Sequence, residues 1–189
     1  MVAHNVQKLN RLLIPFTLVV ALVAGAYYWL QMGTEPIYPY DAAQDRESLI
    51  KIFKQNQFWL TNDPDEASAL ESFTYSLDNA SSSDSWMDRG NLLTYVYRDN
   101  EATKGFVAYH KVSSSTAKIL YIAVDDTYRR RGYAEKLLVY ALDDLKRKGY
   151  EHVELVTRLV NKRAQGLYKK LGFRQTWDDG TLVGFLKTF

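Results

Sequence analysis

The 189-residue sequence contains no cysteine. Disulfides, thiolate metal sites and cysteine nucleophiles are therefore excluded, while the redox compartment stays open, because a thiol-free protein suits either state. Histidine is scarce as well. His4, His110 and His152 are too scattered to share a metal and no HExxH pair occurs, so no metal site is expected. The absence of GxxxxGK[ST] excludes a P-loop, and no GxGxxG follows a strand, which argues against a dinucleotide fold. No GxSxG elbow presents a serine nucleophile. An excess of one charge is missing too: 24 Lys and Arg face 22 Asp and Glu, a net charge of +2. A nucleic-acid face would show as a basic stripe, so no nucleic-acid partner is expected.

What remains is ordinary material for one domain plus a short appendage. Hydrophobic residues make up 47% of the chain, enough for one full core, and aromatics 14%, including 14 tyrosines that suit cores, interfaces and membrane belts alike. The appendage is residues 1–35. Within it, residues 12–30 (LLIPFTLVVALVAGAYYWL) carry no charge, close to the ~20 apolar residues that cross a bilayer core. Lys8 and Arg11 precede this run, and Tyr27, Tyr28 and Trp29 close it as interfacial aromatics do. A single-pass anchor, and hence a membrane location and partner, is expected. Export after signal-peptide cleavage is the alternative, with 12–23 as hydrophobic core and Ala24-Gly25-Ala26 as the small-residue cleavage pattern. A buried core helix should show a polar face, and this run has none. Lys8 and Arg11 against Arg46 on the other flank vote for an N-terminus in the cytosol, too weakly to fix the side.

Residues 36–189 read as an α/β domain. After a linker at 31–36, residues 37–40 form a short strand, placed at an edge because Pro39 cannot donate a ladder hydrogen bond. Helices are predicted over 45–60, with Leu49, Ile50, Phe53 and Gln57 on one face, and over 64–77, opening on Asn62-Asp63-Pro64. A serine-rich loop at 80–85 leads to strands at 92–98, 105–112 and 118–124. The last of these is apolar on both faces and belongs in mid-sheet. Ala134, Leu137, Leu138, Ala141, Leu142 and Leu145 mark a strongly amphipathic helix that ends at Gly149. A strand at 153–158, a helix at 161–171 with Ala164, Leu167, Tyr168 and Leu171 inward, and strands at 173–177 and 182–186 complete the chain. The order is β-α-α-β-β-β-α-β-α-β-β.

The segment richest in chemistry runs from Val124 through Asp125, Asp126, Thr127, Tyr128 and Arg129-Arg130-Arg131-Gly132-Tyr133 to Ala134. A central strand ends there and a helix starts. The first turn of a helix leaves N–H groups without intrahelical partners, and with the helix dipole they form an anion site. Gly132 and Ala134 keep that backbone open, and three arginines add charge. A pyrophosphate-bearing ligand fits this description, as does a solvated basic turn.

An Arg-x-x-Gly-x-Ala sequence at this place resembles the pyrophosphate loop of the GNAT superfamily of N-acetyltransferases. Downstream, Asn161-x-x-Ala164-x-x-Leu167-Tyr168-x-x-Leu171-Gly172-Phe173 resembles the second cofactor motif of that family. The resemblance spans residues 36–189. It implies a GNAT fold, with a central mixed sheet of about six to seven strands flanked by about four helices, here preceded by one hydrophobic N-terminal helix. It also implies acetyl-CoA as co-substrate, lying between two parallel strands that splay apart. Ile122, Ala123 and Val124 would turn backbone groups to its pantetheine arm. Arg129, Arg130, Arg131, Gly132, Tyr133 and Ala134 would wrap its pyrophosphate, and Asn161 would hydrogen-bond it at the strand end. Tyr168 would be the catalytic residue, its phenol assisting thiolate departure, although the same position suits a core aromatic.

One departure stands out. Histone-acetylating members carry a glutamate base in an Ala-Glu-Ile stretch, where this chain reads Ala117-Lys118-Ile119. Glu154, His110 and Asp125 are the other candidates, and no base is assigned. The implied reaction is acetyl transfer to a primary amine (a protein lysine, an N-terminus or a small amine) by direct attack, with a backbone N–H near Val124 facing the oxyanion. The rival is a membrane-tethered CoA-binding module without turnover.

Overall fold

The computed structural model describes residues 35–79, 92–99 and 102–189. The hydrophobic run at 12–30 and the serine-rich loop at 80–85 lie outside the described residues, and no helix among those described is long and apolar enough to cross a membrane.

The order of elements is the one expected. Strand β1 (Ile37–Pro39) precedes helices α1 (Ala42–Leu60) and α2 (Glu66–Asp78). Strands β2 (Leu93–Arg98), β3 (Thr103–Lys111) and β4 (Thr116–Val124) follow, and a 3-10 turn (Asp126–Tyr128) leads into α3 (Tyr133–Arg147). Strand β5 (His152–Arg158), helix α4 (Lys162–Lys170) and the hairpin β6 (Arg174–Asp178) and β7 (Leu182–Thr188) close the domain. The seven strands form one mixed sheet in the order β1-β2-β3-β4-β5-β7-β6. Only β4 and β5 run parallel, joined by the crossover through α3. β1 lies at one edge, as Pro39 requires.

Alternation along the strands sorts side chains to two cores. Val96 and Phe106 point to one face, where they meet Leu49, Ile52, Phe53, Phe73 and Ala123 under α1 and α2. Phe53 and Phe73 stack there with ring centroids 4.2 Å apart. Their neighbours Tyr97 and Val107 point to the other face, with Leu137, Leu138, Ala141 and Leu145 of α3 and Tyr168 of α4.

Two helix starts differ from expectation, each because an aspartate caps earlier or later than the pattern suggests. Helix α1 begins at Ala42, not at residue 45, because Asp41 accepts from the amides of Ala43 (2.9 Å) and Gln44 (3.3 Å). Asp45 is fully buried inside the first turn, accepting from Arg98 (2.8 Å) and the Thr103 hydroxyl (2.8 Å). Helix α2 begins at Glu66, not at Pro64, because Asp65 is its cap, bonded to the Ala67 amide at 2.9 Å.

Candidate functional site

Strand β4 changes partners halfway along, and this opens the site. Its first residues pair with β5 from Thr116↔His152 to Ile119↔Leu155, and there the pairing stops. Against β3 the register shifts at the same place, from Ala108↔Tyr121 to Tyr109↔Ile119, which leaves Leu120 as an extra, unopposed residue. A bulge of this kind bends and twists its strand. β4 continues along β3 as far as Gly105↔Val124 while β5 continues along β7 as far as Arg158↔Leu182, so each keeps its outer partner and the two part from each other. Gly105 permits the close approach, since a Cβ there would come within 2.6 Å of the Ala123 carbonyl oxygen.

A cavity of about 650 Å³ fills the fork, walled by Leu120, Ile122, Ala123 and Val124 on one side and Val156 and Thr157 on the other. Backbone N–H and C=O groups are obligatory hydrogen-bonding groups, and no strand pairs with these two inner edges among the described residues. An extended ligand carrying amides could pair with such edges as an added strand does.

The head of α3 forms the next part of the wall. Arg130 (φ 68°) and Gly132 (φ 83°) both take left-handed backbone conformations, a turn geometry that gathers successive N–H groups into an anion-binding nest. Gly132 is the N-cap and offers no side-chain acceptor to the first turn. The amides of Tyr133, Ala134 and Glu135 therefore lack the carbonyl partners that later residues find, beginning with Lys136 N–H to Gly132 O at 3.1 Å. A Cβ at Gly132 would meet nothing within 4 Å, so the conformation, not crowding, calls for glycine.

The three consecutive arginines have three different fates. Arg129 lines the cavity but is already held, by the Asn56 side-chain oxygen at 2.9 Å and by an ion pair with Asp126. Arg130 lines the cavity as well. Arg131 is not among the wall residues, and its guanidinium lies 5.7 Å from the centre of the Tyr128 ring. The remaining expected binding residues, Ile122 to Val124, Gly132 to Ala134 and Asn161, all line the cavity. The Asn161 side chain is engaged as the cap of α4: its oxygen accepts from the Ala164 amide (3.2 Å), and its nitrogen donates to the Thr157 hydroxyl (3.3 Å).

Tyr168 is both a core aromatic and a wall residue. It is 5% exposed, its ring lies 5.7 Å from Phe185 and 6.0 Å from Phe173, and it borders the cavity. Burial alone raises its phenol well above the ordinary tyrosine value. Such a group keeps its proton at neutral pH and acts as a donor, not as a base.

The residues considered as bases have other partners. Glu154 lies 3.8 Å from Lys118, its neighbour in register across the β4–β5 ladder. The Nδ1 of His110 sits 3.0 Å from the Lys111 carbonyl. Asp125 is buried and caps the 3-10 turn. Burial pushes its carboxyl up, but the bonds from Lys51 and from the Thr127 hydroxyl and amide outweigh that and bring it down to about 2. A carboxylate so firmly ionised is a poor proton acceptor at neutral pH.

Several wall residues were not expected from the sequence. Asn56, Trp59 and Leu60 bring the last turns of α1 to the cavity, and Val160 adds an exposed apolar side chain from the β5–α4 turn. Asn56 left one signal. It falls seven positions after Leu49, so a polar side chain stands on the buried face of an amphipathic helix.

Comparison with known proteins agrees with this geometry. The model of the acetyltransferase (GNAT) family matches residues 46–173. N-alpha-acetyltransferase 30 of Schizosaccharomyces pombe is 31% identical over 84 residues, 42% of this chain and 56% of that protein. Mycothiol acetyltransferase of Clavibacter sepedonicus is 30% identical over 91 residues, 48% of this chain and 29% of that protein. The matched stretch thus spans between 29% and 56% of the length of these curated relatives. The crystal structure of the PaiA N-acetyltransferase from Thermoplasma acidophilum in complex with coenzyme A superposes with a TM-score of 0.64 at 20% identity, covering 81% of this chain and 98% of that one. With a forked β4–β5 pair, an uncapped helix head and a family match across most of the domain, the chain belongs to the acetyltransferase (GNAT) family.

Proposed function

We propose that the protein is an acetyl-CoA-dependent N-acetyltransferase acting on a primary amine, with the protein N-terminus and the small amine as the acceptor classes its relatives favour. The fork between β4 and β5, opening onto the uncapped first turn of α3, carries this reading. Acetyl-CoA has two parts that suit it: a pantetheine arm with amides for the strand edges at Ile122 to Val124, and a pyrophosphate for the turn from Arg129 to Ala134. The relatives include an N-alpha-acetyltransferase and a mycothiol acetyltransferase, and the PaiA structure holds coenzyme A.

In the reaction, the amine nitrogen attacks the thioester carbonyl and a backbone N–H at the end of β4 faces the developing oxyanion. The carbon–sulfur bond then breaks while the Tyr168 hydroxyl donates a hydrogen bond to the departing sulfur, and the proton that the amine gives up to solvent balances the one the thiolate takes up. Tyr168 suits this step because burial keeps its phenol protonated, so the hydroxyl stays a hydrogen-bond donor to the departing sulfur. The test is a calorimetric titration of the full-length chain with acetyl-CoA, followed by thiol-release assays on a panel of small amines and N-terminal peptides. Saturable binding and release of coenzyme A with one amine class are expected. Binding without turnover on any amine would favour the CoA-binding module, and no binding would overturn the reading.

The uncharged run at 12–30 supports a further proposal, a membrane anchor for the domain at 36–189. The full-length protein should then fractionate with membranes and resist carbonate washing. A mature N-terminus at Tyr27 would mean a cleaved signal peptide instead.

A further inference from the structure

The side chain of Asn56 holds three elements together. It is 8% exposed and borders the cavity. Its nitrogen donates to the Ile52 carbonyl of its own helix at 2.8 Å and to the Val124 carbonyl at the end of β4 at 3.3 Å. Its oxygen accepts from the Arg129 guanidinium at 2.9 Å. On the opposite lip of the fork, Arg158 of β5 donates to the Phe58 carbonyl and to the Thr61 carbonyl (3.0 Å) at the C-terminal end of the same helix. The end of α1 is thereby fastened to both splayed strands.

An asparagine needed only to fill the helix surface would be satisfied by the carbonyl four residues back. The bonds to Val124 and Arg129 go further, because they join the strand end to the loop that enters α3. Arg129 also pairs with Asp126, and the neutral oxygen of Asn56 fixes the direction of the guanidinium without adding negative charge beside an anion site.

We infer that Asn56 is a positioning residue for the co-substrate, holding Arg129 and the end of β4 in the arrangement that receives the pyrophosphate. This inference rests on the acetyl-CoA reading above. Asn56 itself has no direct role in the chemistry, and the prediction concerns affinity more than fold.

The experiment is a double-mutant cycle on the full-length chain, with acetyl-CoA titrated by calorimetry and the melting temperature of every variant recorded. Asn56→Leu, similar in volume but without polar atoms, should weaken acetyl-CoA binding about tenfold. Arg129→Met should do the same. The double variant should fall within about twofold of either single one, because both act through one bond. Asn56→Asp keeps an acceptor for Arg129 but sets a negative charge beside the anion site and an oxygen against the Val124 carbonyl, so it should weaken binding at least as much as Asn56→Leu. If Asn56→Leu does not fold, Asn56→Ser replaces it with the same expectation, since serine is too short to reach Arg129. Wild-type affinity in a folded Asn56→Leu or Asn56→Ser variant, or losses that multiply to about a hundredfold in the double variant, would overturn the role of Asn56 alone. Absence of acetyl-CoA binding by the wild type would overturn the acetyl-CoA reading, and this inference with it.

Discussion

Two helices begin at the same cavity, and they begin differently. Helix α4 is capped in the usual way, with Asn161 turning its oxygen back to the Ala164 amide. Helix α3 starts at a left-handed glycine that has nothing to turn back. The other two described helices are capped by Asp41 and Asp65, so α3 is the one of the four whose first-turn amides have no side-chain acceptor. A glycine in place of a capping side chain costs a helix a few tenths of a kcal/mol. Helix α3 tolerates this because its inner face is thoroughly buried, with Leu137, Leu138, Ala141 and Leu145 all inaccessible to solvent. Burial of that kind contributes roughly 1.5–3 kcal/mol per side chain, so packing outweighs the cap several times over. The fold can therefore keep amides open at one helix head while closing them at the other.

Breaking the open start should have the largest effect. Gly132→Glu places a carboxylate beside the first-turn amides and forces a residue with a Cβ into φ 83°. Acetyl-CoA binding should become undetectable by calorimetry, while circular dichroism still reports a folded protein. Unchanged affinity in a folded variant would move the co-substrate site elsewhere. The second effect concerns the interior of α4 rather than its start. Tyr168→Phe removes only a hydroxyl from a packed ring, so kcat should fall roughly 10²–10⁴-fold, the range for lost acid–base assistance at a leaving group, with little change in acetyl-CoA affinity. A normal kcat with a stability loss of about 1 kcal/mol would make Tyr168 a core residue only.

The two helix starts also show what a sequence can and cannot disclose. The elements themselves were legible, because Ala134 to Leu145 repeats at helical spacing and residues 119–124 read as an apolar mid-sheet strand. Residues of the Arg-x-x-Gly-x-Ala turn and of the Asn161 to Phe173 pattern line the fork. Capping was harder to read. Several polar residues near each start could serve as cap, and tertiary partners such as Arg98 and Thr103 decided that Asp45 would be buried and Asp41 would cap. Nor could the sequence say that Arg129 and Arg130 line the cavity while Arg131 does not, since that depends on Arg130 taking φ 68°. The bulge at Leu120 left no local sign, as its neighbours are apolar on both sides. The link from Asn56 to Arg129 joins residues 73 positions apart, beyond the reach of any local pattern.

The loop feeding the open start has its own pH signature. Asp125 is buried and its carboxyl sits at about 2, below the ordinary carboxylate range. A depressed folded-state value means that its stabilisation is fully present above the unfolded value, near pH 4, and is lost as pH falls through about 2. The size of the shift corresponds to about 2 kcal/mol. Asp125→Asn should be less stable than the wild type by about that amount at pH 7, and the gap should close between about pH 4 and 2. Urea denaturation of both proteins across that interval checks it. A gap that stays constant with pH would mean the carboxylate charge contributes nothing.

The smallest expected effect belongs to the capped start, and it separates two accounts of Asn161. Its family pattern implies a hydrogen bond to the co-substrate, while the structure shows both ends of its amide engaged within the chain, at Ala164 and Thr157. Asn161→Ala removes both functions and cannot distinguish them. Asn161→Ser can, because a serine hydroxyl still caps a helix but has no amide nitrogen to offer a ligand. If capping is what Asn161 contributes, Asn161→Ala should lose about 1 kcal/mol of stability. Asn161→Ser should then lose only a few tenths, with both variants binding acetyl-CoA within about twofold of the wild type. If the amide also reaches the co-substrate, Asn161→Ser should keep its melting temperature and still bind acetyl-CoA several-fold more weakly, as expected for one lost hydrogen bond of about 1 kcal/mol. Melting temperature and affinity on the same two proteins therefore decide whether the two helix starts divide the work, one for the ligand and one for the fold, or whether both face the ligand.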